Sequence, residues 1–186
     1  MRTLAITQNI TVDGVIDLSD DWFSPASGGD DQADVLEALR DQDSRSDALL
    51  VGRQTFEDFR GYWPLQTDDS TGITAQLNQV TKYVVSSTLT DPQWVNSVIL
   101  SGPMLEEVTR LKQASGADIV CTGSISLTHQ LLRADLVDEL RLFVHPVIVG
   151  RGRRLIPDGV AIAALDLVDC RAFRYGISPQ CYRLRH

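Results

Sequence analysis

The stretch that most restricts the fold is only five residues long. Asp47-Ala-Leu-Leu-Val51 is a short apolar run that stops at Gly52, beyond which a helix begins. A run that is continuously apolar rather than alternating belongs to a strand covered on both faces, as in a parallel sheet flanked by helices. The rest of the chain repeats the theme. Residues 3–10 read as a buried first strand that continues through Thr11-Val12 to the turn dipeptide Asp13-Gly14 and on to Val15-Ile16. A polar loop runs to about residue 32, and Val35, Leu36 and Leu39 then give a helical face. Residues 82–86, 98–101 and 118–121 are further short strands. Helices are expected over 104–114, with Leu105, Val108 and Leu111 on one face, and over 124–132. Residues 139–149 read as a long strand broken by Pro146, which cannot donate to a ladder, and 165–175 and 180–184 as two edge strands. The expected fold class is α/β: an open, mainly parallel sheet with helices on both faces and antiparallel C-terminal edge strands. At 186 residues, a single domain spanning 1–186 is expected.

Charge and cysteine content narrow the function. The net charge of −8 is uneven: residues 13–47 hold 11 acids against Arg40 and Arg45, whereas eight arginines face three aspartates from Arg141 onward. A net acidic chain without a basic stripe excludes nucleic acid as a partner. No apolar run reaches the roughly 20 residues of a membrane span, and Met1-Arg2-Thr3 leads straight into a strand, so no membrane partner and a cytoplasmic location are expected. Three cysteines without CxxC spacing and three histidines without ligand spacing give no metal site.

Open α/β sheets bind ligands beyond the carboxyl ends of their strands. Three such ends share a character: Gly52-Arg53-Gln54-Thr55, Ser86-Ser87-Thr88 and Thr122-Gly123-Ser124. The first and third open helices, whose free backbone donors suit phosphate, and Arg53 adds a cationic fork. The same residues are also what ordinary helix caps and turns use, and the sequence leaves both readings open. Gly150-Arg-Gly-Arg-Arg154 lacks the last glycine of a dinucleotide fingerprint; Walker, GxSxG and HExxH patterns are absent.

Val51-Gly-Arg-Gln-Thr-Phe-Glu57 resembles the strand-to-helix signature of the dihydrofolate reductase superfamily. Ser87-Thr-Leu-Thr-Asp-Pro-Gln-Trp94, Gly123-Ser124, Leu136 to Val147 and Gly150 to Leu155 resemble, more narrowly, the RibD C-terminal domain family, the reductase half of a riboflavin-biosynthesis deaminase/reductase. The resemblance implies a dihydrofolate-reductase-like fold, NADPH as cofactor, and hydride transfer to a small heterocyclic or ribosylamino substrate such as 5-amino-6-(5-phosphoribosylamino)uracil. It implies that Gly52, Arg53 and Thr55 meet cofactor phosphates, with Ser86 and Ser87 beside the 2′-phosphate. Thr122, Gly123, Ser124 and Ile125 then hold the pyrophosphate, and the Asp13-Gly14-Val15-Ile16 loop lines the nicotinamide. A homodimer is also implied, with strands 139–149 and 165–175 as the available interface.

The departures bear on substrate. Trp22-Phe-Ser-Pro25 resembles the Trp-x-x-Pro stretch of dihydrofolate reductases, but the position of their pterin-binding carboxylate is Ser27 here. That departure disfavours a folate reductase, which is kept as an alternative, and motivates a second alternative, a catalytically silent nucleotide-binding dimer. Asp13, Asp30 and Asp31 are the candidate proton donors. Trp22 and Phe23 are candidate walls for a flat substrate ring, and Arg151 and Arg153 candidate anion ligands on the substrate.

Overall fold

The computed structural model describes residues 1–18, 22–23, 33–162 and 164–185. Its elements run β1 (Leu4–Thr11), α1 (Ala33–Asp43), β2 (Ser46–Gly52), α2 (Arg53–Tyr62), α3 (Ile73–Gln79), β3 (Thr81–Val85), β4 (Ser97–Leu100), α4 (Met104–Gln113), β5 (Asp118–Thr122), α5 (Ile125–Arg133), β6 (Glu139–His145), β7 (Leu165–Cys170) and β8 (Ser178–Leu184). All eight strands form one sheet in the order β4-β3-β2-β5-β1-β6-β8-β7. The pairings from β4 across to β6 are parallel, and β8 runs antiparallel to both of its neighbours. This is the α/β sheet expected, with its antiparallel end.

The apolar run that opened the sequence reading splits between two cores. Ala48 and Leu50 join Leu4, Ile6, Ile119 and Cys121 against Val108 and Leu111 of α4 and Leu127 and Leu131 of α5. Leu49 and Val51 point the other way and join Val84, Val120 and Trp94 against Phe56 of α2 and Leu77 of α3. α1 lies on this second side, where Gln42 accepts a 2.8 Å hydrogen bond from Thr7 of β1. Connection handedness explains the division. The moves β1 to β2 and β2 to β3 go one way along the sheet, and β4 to β5 and β5 to β6 go the other. Right-handed crossovers travelling in opposite directions must place their helices on opposite faces. The reversal falls at β1 and β5, which opens a crevice at their carboxyl ends.

Several boundaries differ from the sequence reading. β6 stops at His145 instead of continuing to 149, because Pro146 has no N–H to give the ladder. β7 ends at Cys170 rather than at 175. The first strand turns after Thr11, where Gly14 N–H bonds back to Thr11 and Thr11 N–H to Val15. Val15 then makes an isolated antiparallel bridge with Arg154. Helix α3 was not anticipated; the Asp69 carboxylate accepts the N–H groups of Thr71 and Thr74 and so starts it. No helix among the described residues is long and apolar enough to cross a membrane.

Candidate active site

Two strand-to-helix junctions come together in the crevice. Parallel pairing sets Leu50 beside Cys121, so the residues that follow the two strands, Gly52-Arg53 and Gly123-Ser124, are neighbours. They are joined reciprocally. Gly52 N–H donates to Ser124 Oγ at 2.9 Å, and Ser124 N–H donates to Thr55 Oγ1 at 2.8 Å. Gln8 of β1 supports the turn by donating to the Gly123 carbonyl at 2.7 Å. Gly123 and Ser124 both have left-handed backbones, with φ of 58° and 44°. A Cβ on Gly123 would lie 2.9 Å from Thr55 Cγ2, so only glycine fits between the junctions.

The clasp decides between the two readings of these hydroxyls. Ser124 and Thr55 bind across to the neighbouring junction, and neither α2 nor α5 has a side-chain cap or an acidic residue in its first turn. Their first-turn N–H groups and positive dipole ends are therefore presented to whatever occupies the crevice. At the third junction the ordinary reading fits: Ser86 Oγ accepts the N–H groups of Thr88 and Leu89, closing a local turn.

The crevice is a cleft of about 470 Å³ whose walls include Gln8, Ile16, Gly52, Arg53, Thr55, Gly123, Ser124 and Ile125. Arg53 is half-exposed and pairs with Glu57 one turn on, at 3.2 Å. Arg153, assigned from the sequence to the substrate, lines this same cleft, with Nε 2.7 Å from the Asp17 carboxylate. Val15 is buried behind the wall, and Thr122, Ser86 and the exposed Ser87 do not line the cleft. Arg151 is exposed on the same loop as Arg153 but lines no part of it.

Asp13 occupies a different place. Its carboxylate accepts hydrogen bonds from Thr11 Oγ1 at 2.6 Å and from the backbone N–H groups of Gly150 at 2.8 Å and Val149 at 3.3 Å. The Thr11 hydroxyl, with those N–H groups, holds its pKa below the ordinary 3.8. A carboxylate held ionised is a poor proton donor; here it pins the loop after β6 to the turn after β1. It borders a second concavity of about 770 Å³, an apolar groove lined by Leu142, Val144, Leu155, Ile162, Leu165 and Tyr182. Asp30 and Asp31 lie outside the described residues.

Trp22 and Phe23 flank a residue that the sequence reading set aside. Each ring meets the His145 imidazole nearly edge-on, with centroids 5.5 Å apart, and His145 Nε2 lies 3.0 Å from Asn9 Oδ1. Burial lowers the His145 pKa below 6.5. The Trp22 indole N–H donates to the Asp17 carbonyl at 2.9 Å, which ties this corner to the wall of the cleft. His145 stands at the carboxyl end of β6, the location the strand-end rule singles out.

A family model for the RibD C-terminal domain matches residues 2–178. The chain belongs to that family. The uncharacterised protein YyaP of Bacillus subtilis (strain 168) is 30% identical over 183 residues, which is 95% of this chain and 92% of YyaP. Dihydrofolate reductase from Enterococcus faecalis, solved with NADP(H), superposes with a TM-score of 0.65 at 16% identity, over 99% of this chain and 97% of that one. A deaminase/5-amino-6-(5-phosphoribosylamino)uracil reductase from Thermotoga maritima superposes with a TM-score of 0.66 at 13% identity, over 99% of this chain and 57% of that one. The two structural likenesses establish a dihydrofolate-reductase-like fold for this RibD C-terminal domain.

Proposed function

We propose that this family member is an NADPH-dependent reductase that delivers a hydride to a small heterocyclic or ribosylamino substrate, of the 5-amino-6-(5-phosphoribosylamino)uracil type. The observation that carries the reading is the clasp, in which two uncapped helix N-termini open on one cleft that also holds Arg53 and Arg153. A pyrophosphate needs such a set of backbone donors with cationic forks beside it. The residues therefore fit the group: the first turns of α2 and α5 would hold the pyrophosphate, Arg53 the 2′-phosphate and Ile16 one face of the nicotinamide. When bound, NADPH supplies the hydride. The protein's own part is to release Arg53 from Glu57 and Arg153 from Asp17, exclude water along the Ile16 wall, and fix the approach of the acceptor carbon.

The test is titration of the purified protein with NADPH and NADH, followed by quenching of tryptophan emission and by thermal shift. NADPH is expected to quench and to raise Tm; no response at millimolar NADPH overturns the reading. Arg53→Ala is expected to weaken NADPH about 10-fold, the loss of one charge-assisted contact, and NADH by less. Equal losses for both cofactors remove Arg53 from the 2′-phosphate. Consumption of NADPH with pterins or ribosylaminouracils then separates a working enzyme from a silent binder. The homodimer is part of the same proposal, with the apolar groove along β6, β8 and β7 as its interface and light scattering as its check.

A further inference from the structure

We infer that His145 is the substrate-recognising residue of this protein: an imidazole fixed by Asn9 and flanked by Trp22 and Phe23, which accepts a hydrogen bond from the N–H edge of a planar heterocycle beside the cofactor cleft. The inference deepens the reductase reading and rests on it.

Strand register sets up the corner. His145 pairs with Thr11 and Phe143 with Asn9 across the parallel β1–β6 ladder, so the side chains of Asn9 and His145 leave the same face of the sheet as diagonal neighbours. The Asn9 amide oxygen can only accept, so the 3.0 Å contact makes Nε2 the protonated ring nitrogen and leaves the lone pair of the neutral ring on Nδ1. Among the described residues Nδ1 has no hydrogen-bond partner. A core histidine kept for packing satisfies both nitrogens; this one satisfies a single side and is only half-buried. The lowered pKa keeps the ring neutral near pH 7 and the acceptor open.

Trp22 and Phe23 bound the imidazole at interplanar angles of 72° and 80° and meet each other at 5.9 Å. Aromatic faces around one fixed acceptor select a flat ring that carries an N–H group, as in uracils and pterins. The corner is tied to the proposed hydride source through the Trp22 indole, which is bonded to the carbonyl of Asp17 in the cleft wall. No group of three potential ligands exists among the described residues, so His145 is not part of a metal centre there.

The experiment uses the full chain labelled with ¹⁵N-histidine, loaded with NADP⁺, and titrated with 5,6-diaminouracil and with pterin. Three histidines give a spectrum simple enough to assign by substitution. The Nδ1 resonance of His145 is expected to move as either probe binds. His145→Phe, which keeps the flat ring and removes the acceptor, is expected to weaken the probes about 10-fold, the worth of one hydrogen bond, with NADP⁺ affinity unchanged. His145→Gln restores an acceptor and is expected to recover most of that loss. Asn9→Leu is expected to shift the tautomer balance of His145 and to weaken the probes without removing any ring. An unmoved Nδ1 resonance with a probe bound, unchanged probe affinity in His145→Phe, or no probe binding to the NADP⁺-loaded wild type overturns the inference while leaving the reductase reading standing. Failure of the wild type to bind NADPH fells the reductase reading, and this inference with it. Should His145→Phe not fold, the wild-type Nδ1 resonance decides alone.

Discussion

The cleft and the apolar groove lie on one sheet and are built by opposite means. The cleft is made where helices begin: beside Ile16 and Ile125 its walls carry backbone N–H groups, glycines and two arginines, each already paired with a carboxylate. The groove is made where helical cover runs out, over β6, β8 and β7, and its surface is aliphatic side chains. Backbone geometry builds the first and side-chain identity the second. Substitutions should therefore cost the cleft both shape and stability, and change the surface of the groove with little loss of stability.

Gly123→Ala is the strongest way to break that contrast. It forces a Cβ against Thr55 at a backbone with φ of 58°. Strain of about 2 kcal/mol corresponds to a Tm loss of roughly 4–8 °C at this chain length, read by thermal melt, and NADPH quenching should be lost as well. Arg153→Ala comes next. It should weaken NADPH about 10-fold with little change in Tm, because its partner Asp17 is a surface-type pair of small worth. If Arg153 binds substrate instead, KM for the acceptor rises and cofactor affinity does not.

Asp13→Ala tests the pin between the two concavities by pH. The folded pKa of Asp13 is depressed, so its contribution to stability is present above the unfolded value of 3.8 and disappears as pH falls through the folded value. The variant should melt below wild type at neutral pH, and the gap should close below pH 3.8. An equal gap at all pH values would mean the carboxylate charge is not what holds Gly150 and Val149. The smallest effect is expected on the groove side. Leu165→Glu changes a groove residue that is 40% exposed, and stability should stay within about 0.5 kcal/mol of wild type. The same substitution should dissociate the dimer if two copies meet there.

What the sequence disclosed depended on distance along the chain. The strands and their ends were legible because each is a local signal: an apolar run, then Gly, Ser or Thr. Arg53, Thr55 and Gly123 were found as members of separate junctions, yet the bond between Thr55 and Ser124, which turns them into one site, joins residues 69 apart. Asp13 carried the right signal, a carboxylate after a strand, but its partner Gly150 lies 137 residues on, so its structural task was invisible. His145 was passed over because the strand reads on to 149, which hides it inside an element that in fact ends there, and because no second histidine shares its spacing. Its partner is an asparagine that only strand pairing brings near. Helix α3 was missed because Asp69 and Thr71 start it from within a polar stretch that reads as loop.

The placement of β1 has a consequence for the birth of the molecule. Its neighbours in the sheet are β5 and β6, so β1, made before both, finds no edge to join until residues 118–122 and 139–145 have been made. An apolar strand must wait through most of synthesis with its hydrogen-bonding groups exposed, which makes closure of the sheet a late, non-local and slow event. The carboxyl end of β1, where both proposed binding regions meet, is thus assembled late, and a chain truncated before β6 should be a client of chaperones rather than a weakened reductase.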